Sequence, residues 1–193
     1  MLIGSLHSTD TGLYTVDAMG GEPTHITDDG REPRFTSDGE RLYYLTGGGL
    51  SKEYQSVDLN GGNERTHFSM RDVSAVVPSP DGNWVAFQEL FHVYVAPFPE
   101  TGGSLDLTKD TQAVPVAQVS DEGGNYLHWS GDSERLHWMV GPEHHTLNLN
   151  DAFNFLNNGE EVDPQTAATT TEVDLTLPVD RPTGQVAFTN ARL

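Results

Sequence analysis

The eight histidines are the residues of this sequence best suited to chemistry, because imidazole binds transition metals and transfers protons near neutral pH. His128 and His137 flank a predicted hairpin and could at most face each other across it. His144 and His145 are adjacent, so in a strand they would point to opposite faces. No His-x-His pair is present. We interpret the histidines as packing or surface residues of β-strands and predict no metal ligand among them, the full set being His7, His25, His67, His92, His128, His137, His144 and His145.

Motifs for other kinds of catalysis are absent from the sequence. A nucleophilic serine is typically found in Gly-x-Ser-x-Gly, which does not occur. The stretch LTGGGLS (45–51) lacks the Gly-Lys-Ser/Thr ending and the following helix of a phosphate loop, so it predicts a flexible hairpin. There is no cysteine for thiolate chemistry or for a zinc site. We predict that the chain is not itself an enzyme, with no catalytic residue, no cofactor-binding residue and no cofactor.

The acidic composition limits the classes of partner. Lys and Arg number 10 against 29 Asp and Glu, which gives a formal net charge of −19 in 193 residues. This charge repels phosphate and anionic lipid, so we predict neither nucleic-acid binding nor attachment to a membrane surface. No run approaches the roughly 18 apolar residues of a membrane span, so membrane insertion is not expected either.

Two turn signals repeat along the chain with nearly one period. The pairs Gly20-Gly21, Gly61-Gly62 and Gly102-Gly103 are each 41 residues apart. The turns TSDG, SPDG and SGDS contain Asp38, Asp81 and Asp132, spaced by 43 and then 51 residues. In such turns Asp hydrogen-bonds nearby backbone and Gly adopts a positive φ, so we interpret these carboxylates as turn formers. A period near 40 residues is typical of propellers and of helical arrays.

The strand pattern favours the propeller. RLYYLTG, NWVAFQEL, HVYVAPF and RLHWMVG are short runs rich in aromatic and β-branched residues, bounded by turn residues. Leu42 and Tyr44 alternate with Tyr43 and Leu45, so both faces of that strand are apolar, as in sheets that pack on both sides. Each unit is predicted to have four strands, the last following a Gly-Gly hairpin and ending near HIT or DLT. The tryptophans are expected to pack between blades, or alternatively to line a central funnel, and they are Trp84, Trp129 and Trp138.

With these residues identified, the chain resembles the TolB-type β-propeller repeat over residues 2–150. SPDGNWVAF (79–87) matches its Ser-Pro-Asp-Gly turn and apolar strand, whereas TSDGERLYYL and SGDSERLHWM are looser copies, Ser133 standing in place of the usual Gly. The fold class that follows is all-β, a partial TolB-like β-propeller of about four blades, each a four-stranded antiparallel sheet. The resemblance implies a scaffold, a partner-binding platform or a gate, and it favours a periplasmic or extracellular location.

The end of the chain carries a second resemblance. EVDLTLPVDRPTGQVAFTNARL (172–193) is similar to the junction in bacterial amidohydrolases that carry a TolB-like propeller before a metal-dependent barrel. This implies a non-catalytic accessory and gating domain of an amidohydrolase-like hydrolase, whose metal ligands would lie beyond Leu193. The alternative is a free-standing TolB-like protein–protein interaction module of the cell envelope. The residues that match the family phrase are Pro182, Gly184, Val186, Ala187, Ala191 and Arg192.

The repeat divides the chain into two parts. Residues 1–155 are predicted to form the blades, the first of them incomplete, and residues 156–193 a connector and strand leading towards an absent amidohydrolase-type domain. NNGEEVDPQTAATTT is predicted to be a loop, and EVDLTLPV a strand. A partial propeller would expose a strand edge and an apolar blade face, so the expected partners are the rest of a parent polypeptide or another protein, with self-association through exposed blade edges.

Overall fold

The computed structural model of the protein describes residues 2–3, 11–179, 183–184 and 189. Their regular secondary structure is almost entirely β-strand, and the prediction of an all-β fold is confirmed. The strands are β1 (Leu2–Ile3), β2 (Leu13–Thr15), β3 (Thr24–Thr27), β4 (Arg31–Phe35), β5 (Arg41–Gly48), β6 (Ser51–Asp58), β7 (Arg65–Arg71), β8 (Val73–Pro78), β9 (Trp84–Glu89), β10 (His92–Pro97), β11 (Leu105–Asp106), β12 (Ala117–Gln118), β13 (Asn125–Trp129), β14 (Arg135–Val140), β15 (Glu143–Asn148) and β16 (Thr169–Glu172).

The strands form four successive sheets. The first has the order β1-β2-β3, the second β11-β7-β6-β5-β4, the third β12-β10-β9-β8 and the fourth β13-β14-β15-β16. Neighbouring strands are antiparallel, except that β11 is parallel to β7. Residues 45–51 comprise the end of β5, a turn at Gly49 and Leu50 and the start of β6, with Gly48 paired to Ser51, so the hairpin predicted for LTGGGLS is confirmed.

Three cores lie between consecutive sheets, which explains why the strands are apolar on both faces. Leu42 and Tyr44 of β5 point into a core shared with the first sheet, where they join Leu13 and Ile26. Tyr43 and Leu45 point the other way, into a core shared with β9 and β10 of the third sheet. The third core, between the third and fourth sheets, is built around buried Trp129 and Trp138, against which Trp84 also packs.

The three aspartate turns have the same hydrogen bonds, so the sequence repeat is also a structural one. In the first, Thr36 Oγ1 donates to the Asp38 carboxylate, which also accepts from the backbone N–H of Glu40. The turns at Asp81 and Asp132 repeat this arrangement. Ser133 adopts a φ of 64° where Gly39 and Gly82 have 74° and 75°. Its hydroxyl accepts from the backbone N–H of Asp81 (3.0 Å), which ties the fourth sheet to the third.

Two strand predictions are wrong. The DLT segment after Gly102-Gly103 does not return to β10, because β11 pairs with β7 of the preceding sheet and Leu107 N–H donates to the Ser69 carbonyl (2.9 Å). The short strand β12 takes the fourth place beside β10 instead.

The second correction concerns the segment after residue 155. The stretch expected to be a loop contains a short helix, α1 (Pro164–Ala167), capped by the Asp163 carboxylate, which accepts from Gln165 N–H (3.1 Å). It also contains β16, which completes the fourth sheet by pairing with β15. The strand predicted for EVDLTLPV therefore begins earlier, and residues 173–179 are outside any strand. The family phrase that follows lies largely outside the described residues.

Candidate functional site

Three histidines come together on the face of the fourth sheet that is turned away from the third sheet. Leu127, Leu136 and Leu147 occupy the apolar face of β13, β14 and β15. The other face carries His128, His137 and His144 instead, and one nitrogen of each ring lies within 4.8 Å of the chosen nitrogens of the other two. This polar face differs from the apolar blade face expected of a partial propeller.

A β-bulge in β13 places His128 in this group. Asn125 pairs with Met139 and His128 with His137, so two residues of β13, Tyr126 and Leu127, lie opposite the single residue Trp138 of β14. Tyr126, in the bulge, has a φ of 57°, a conformation that costs an L-residue about 1–2 kcal/mol. Without the extra residue, the strand period of two would have placed Leu127 opposite His137. The bulge thus sends Leu127 into the core and His128 to the open face.

The three imidazoles form a stack. The ring centroids of His128 and His137 are 4.8 Å apart with an interplanar angle of 18°, and those of His137 and His144 are 5.3 Å apart at 19°. His137 pairs with Thr146, so His144 is its diagonal neighbour, two residues earlier on β15. His128 and His137 face each other across the hairpin, as the sequence allowed, whereas His144 was not expected here because only the diagonal register brings it in.

Hydrogen bonds hold two of the rings by one nitrogen each. His128 Nδ1 lies 3.1 Å from the Tyr126 carbonyl oxygen, which can only accept, so Nδ1 carries the proton and Nε2 of the neutral ring is free. His137 Nδ1 lies 3.0 Å from Thr146 Oγ1. Burial and the neighbouring His128 and His144 lower the pKa of His137 below its ordinary value, which favours the neutral imidazole that metals bind.

His145 belongs to the opposite face, as predicted from its position next to His144. Its ring stacks on Trp138 with centroids 5.4 Å apart and an interplanar angle of 4°. Nδ1 lies 3.0 Å from Thr170 Oγ1 of β16. This histidine packs between β14 and β16 on the opposite face and has no part in the cluster.

A second arrangement of residue types that can take part in catalysis is a serine–histidine pair in the second sheet. Ser56 Oγ lies 2.8 Å from His67 Nε2, and Arg41 donates to the same oxygen from Nε and Nη2, each at 3.1 Å. Ser56 is only 1% exposed. Burial is the main cause that lowers the pKa of His67, to about 4; the charge of Glu100 opposes it, and the charges of Arg41 and Arg65 act in the same direction as burial. A buried hydroxyl that already accepts from Arg41 is poorly placed to attack a substrate, so this pair is an internal network.

The four sheets, each packed face to face on the next, define the protein as a β-propeller of the TolB-like type. Among solved structures it is similar to TolB from Acinetobacter baumannii (TM-score 0.52, 16% identity, covering 73% of this chain and 36% of that one). A putative TolB from Agrobacterium tumefaciens gives a TM-score of 0.53 at 14% identity, covering 88% of this chain and 58% of that one. The periplasmic gluconolactonase PpgL from Pseudomonas aeruginosa gives 0.50 at 14% identity, covering 88% and 54%.

These similarities establish the fold alone, because the identities are low. The chain spans between 36% and 58% of the length of these three proteins. No protein-family model and no curated protein matches the sequence. In the described part of the chain, no helix has the length and apolar character needed to cross a bilayer.

Proposed function

We propose that this chain is a non-catalytic β-propeller segment that acts as an interaction and gating domain. The observation that carries the proposal is the apolar stretch after β16. Val173, Leu175, Leu177 and Val179 alternate with polar or proline residues, and the last three are 68–75% exposed. Val173 N–H still donates to the Pro142 carbonyl (2.8 Å), so the stretch starts from a fixed point on the fourth sheet.

Exposed apolar side chains at every second position are suited to adding a strand to another sheet, where backbone hydrogen bonds provide affinity and side-chain pockets provide specificity. If these residues stay exposed to solvent, they promote aggregation. The partner in this proposal is the rest of a parent polypeptide or a second protein.

The parent that we propose is an amidohydrolase-like metal-dependent hydrolase, with the propeller packed beside its barrel and restricting access to the active site. Support comes from the resemblance of residues 172–193 to the junction of such proteins. The propeller fold is compatible with this role without being specific to it.

The test is to read the source gene past the codon for Leu193 and then to assay the encoded protein. A frame that continues into a barrel with a His-x-His pair is the expected result. The parent enzyme lacking the propeller should then hydrolyse bulky substrates faster than the intact enzyme, with small substrates unaffected. A stop codon directly after Leu193 would overturn the hydrolase assignment and leave a free-standing interaction module.

Self-association is the consequence expected for the isolated chain. The double variant Leu175→Ser, Leu177→Ser should lower the concentration-dependent mass measured by light scattering, whereas the control Asp174→Ser in the same stretch should not. A wild-type chain that stays monomeric at every concentration would refute self-association through this edge.

A further inference from the structure

We propose that His128, His137 and His144 bind one divalent transition-metal ion, such as zinc, and leave a coordination position open to water. The site is independent of the proposed gating role, because it rests on the fourth sheet alone. Imidazole nitrogen is a ligand that zinc, copper and nickel share, and three histidines with one open position are a known zinc coordination set.

The spacing of the nitrogens is close to what such an ion needs. Zn–N bonds of about 2.0–2.1 Å in a tetrahedral site place the ligand nitrogens roughly 3.3 Å apart. The ligand atoms of the three rings already lie within 4.8 Å of one another. Convergence of the nitrogens therefore requires rotation of the side chains rather than movement of the strands. His128 is exposed and the other two are half-buried, so the rings have room to tilt.

The surroundings of the rings resemble the outer shell of a metal site. Histidine ligands almost always donate their second nitrogen to an oxygen, which fixes the tautomer and the ring orientation. His128 does so to the Tyr126 carbonyl, and His137 Nδ1 is within hydrogen-bond distance of Thr146 Oγ1. In these two rings Nε2 is then the nitrogen that remains for a metal. The bulge that supplies the Tyr126 carbonyl is the same irregularity that brings His128 to this face.

The charges around the three rings are compatible with a bound cation. Arg135 lies on the same strand, but its guanidinium is paired with Asp132 at 3.5 Å. The net charge of −19 attracts cations to the chain as a whole.

The experiment is a titration of the whole chain with Zn²⁺ by calorimetry and with Co²⁺ by visible absorption, at pH 7.5 with excess Mg²⁺ to occupy surface carboxylates. We expect one ion per chain and the intense visible bands of tetrahedral Co²⁺. His128→Asn and His144→Asn should each weaken binding by about tenfold or more, since each removes a ligand. His25→Asn, in the first sheet, is the matched control and should bind as the wild type does.

A second readout guards against variants that fail to fold. Zn²⁺ should raise the melting temperature of the wild type and of His25→Asn by the same amount and should raise that of His128→Asn and His144→Asn by less, while circular dichroism confirms their native sheet content. Equal binding by all four proteins would overturn the site, because the metal would then be held elsewhere. Retention of wild-type affinity by either ligand variant, or absence of wild-type binding at about 1 mM Zn²⁺, would overturn it as well.

Discussion

His67 should make the stability of the protein depend on pH in a way that a single substitution can isolate. Arg41 donates two hydrogen bonds to Ser56 Oγ, so the serine hydrogen is directed at His67 Nε2 2.8 Å away. That nitrogen must be an acceptor, and a proton on it would face a hydroxyl that already accepts from Arg41. Burial and the charges of Arg41 and Arg65 act in the same direction, and the pKa falls from 6.5 to about 4.

The sign and size of the effect follow from this pKa. Above pH 6.5 the His67 ring is neutral in both the folded and the unfolded chain, so the contribution of His67 to the free energy of unfolding has its full value. As the pH falls from 6.5 to about 4, the unfolded chain binds a proton that the folded chain does not bind. The free energy of unfolding therefore decreases over this range. A pKa difference of about 2.5 corresponds to roughly 3 kcal/mol at about 1.4 kcal/mol per unit. The ring is partly exposed, and screening by water reduces our expectation to about 1–2 kcal/mol.

The assay is urea unfolding of the wild type and of His67→Gln at pH values from 7.5 to 4.5. Glutamine keeps a carbonyl that can accept from Ser56 but does not titrate. Because the two proteins share every other titrating group, the difference between their unfolding free energies reports on His67. We expect the wild type to lose about 1–2 kcal/mol relative to the variant as the pH falls. A difference that stays constant within about 0.5 kcal/mol would refute the reasoning.

Four further substitutions test the packing and the turns, each by urea unfolding at neutral pH. Gly124→Ala should cost about 1–3 kcal/mol, because its Cβ would lie 2.5 Å from a methyl group of Val93, whereas Gly103→Ala, with open space around it, should be nearly neutral. Ser133→Ala should cost about 1–3 kcal/mol by leaving the Asp81 N–H without its acceptor. Ser133→Gly should cost less, because removal of Cβ at positive φ offsets part of that loss; an equal cost would contradict the role of the backbone conformation.

The propeller fold could be predicted because its signals are local. Each aspartate turn contains its own hydrogen-bond partners within five residues, so the sequence alone specifies the turn. The apolar character of both strand faces requires cores on both sides, as Tyr43 and Tyr44 show by entering different cores. Even Ser133, which departs from the glycine of the other copies, keeps the turn.

The misplaced strands could not be predicted because their pairing depends on distant partners. The segment around Leu105 has the composition of a fourth strand of its own blade. It pairs instead with the edge of β7, more than thirty residues earlier in the chain. The threonines of β16 are exposed and polar, and composition alone assigned them to a loop, although Thr is favoured in strands that have an edge to join. The alternation of residues 173–179 is a better strand pattern, and yet no strand in the described part of the chain pairs with it.

The histidine cluster and the Ser56–His67 pair show how burial separates a binding site from an internal network. Ser56 is buried and its hydroxyl is already engaged by Arg41 and His67, so a ligand would have to displace bonds that stabilise the fold. His128 is exposed, and its Nε2 is left free by the one bond that fixes the ring. A binding site needs side-chain atoms that are held in one orientation and are still able to bind a ligand. The bulge at Tyr126 provides such an atom in His128, although the backbone of Tyr126 is strained. Because this strain serves to place His128 on the open face of the fourth sheet, a ligand should be sought on this face first.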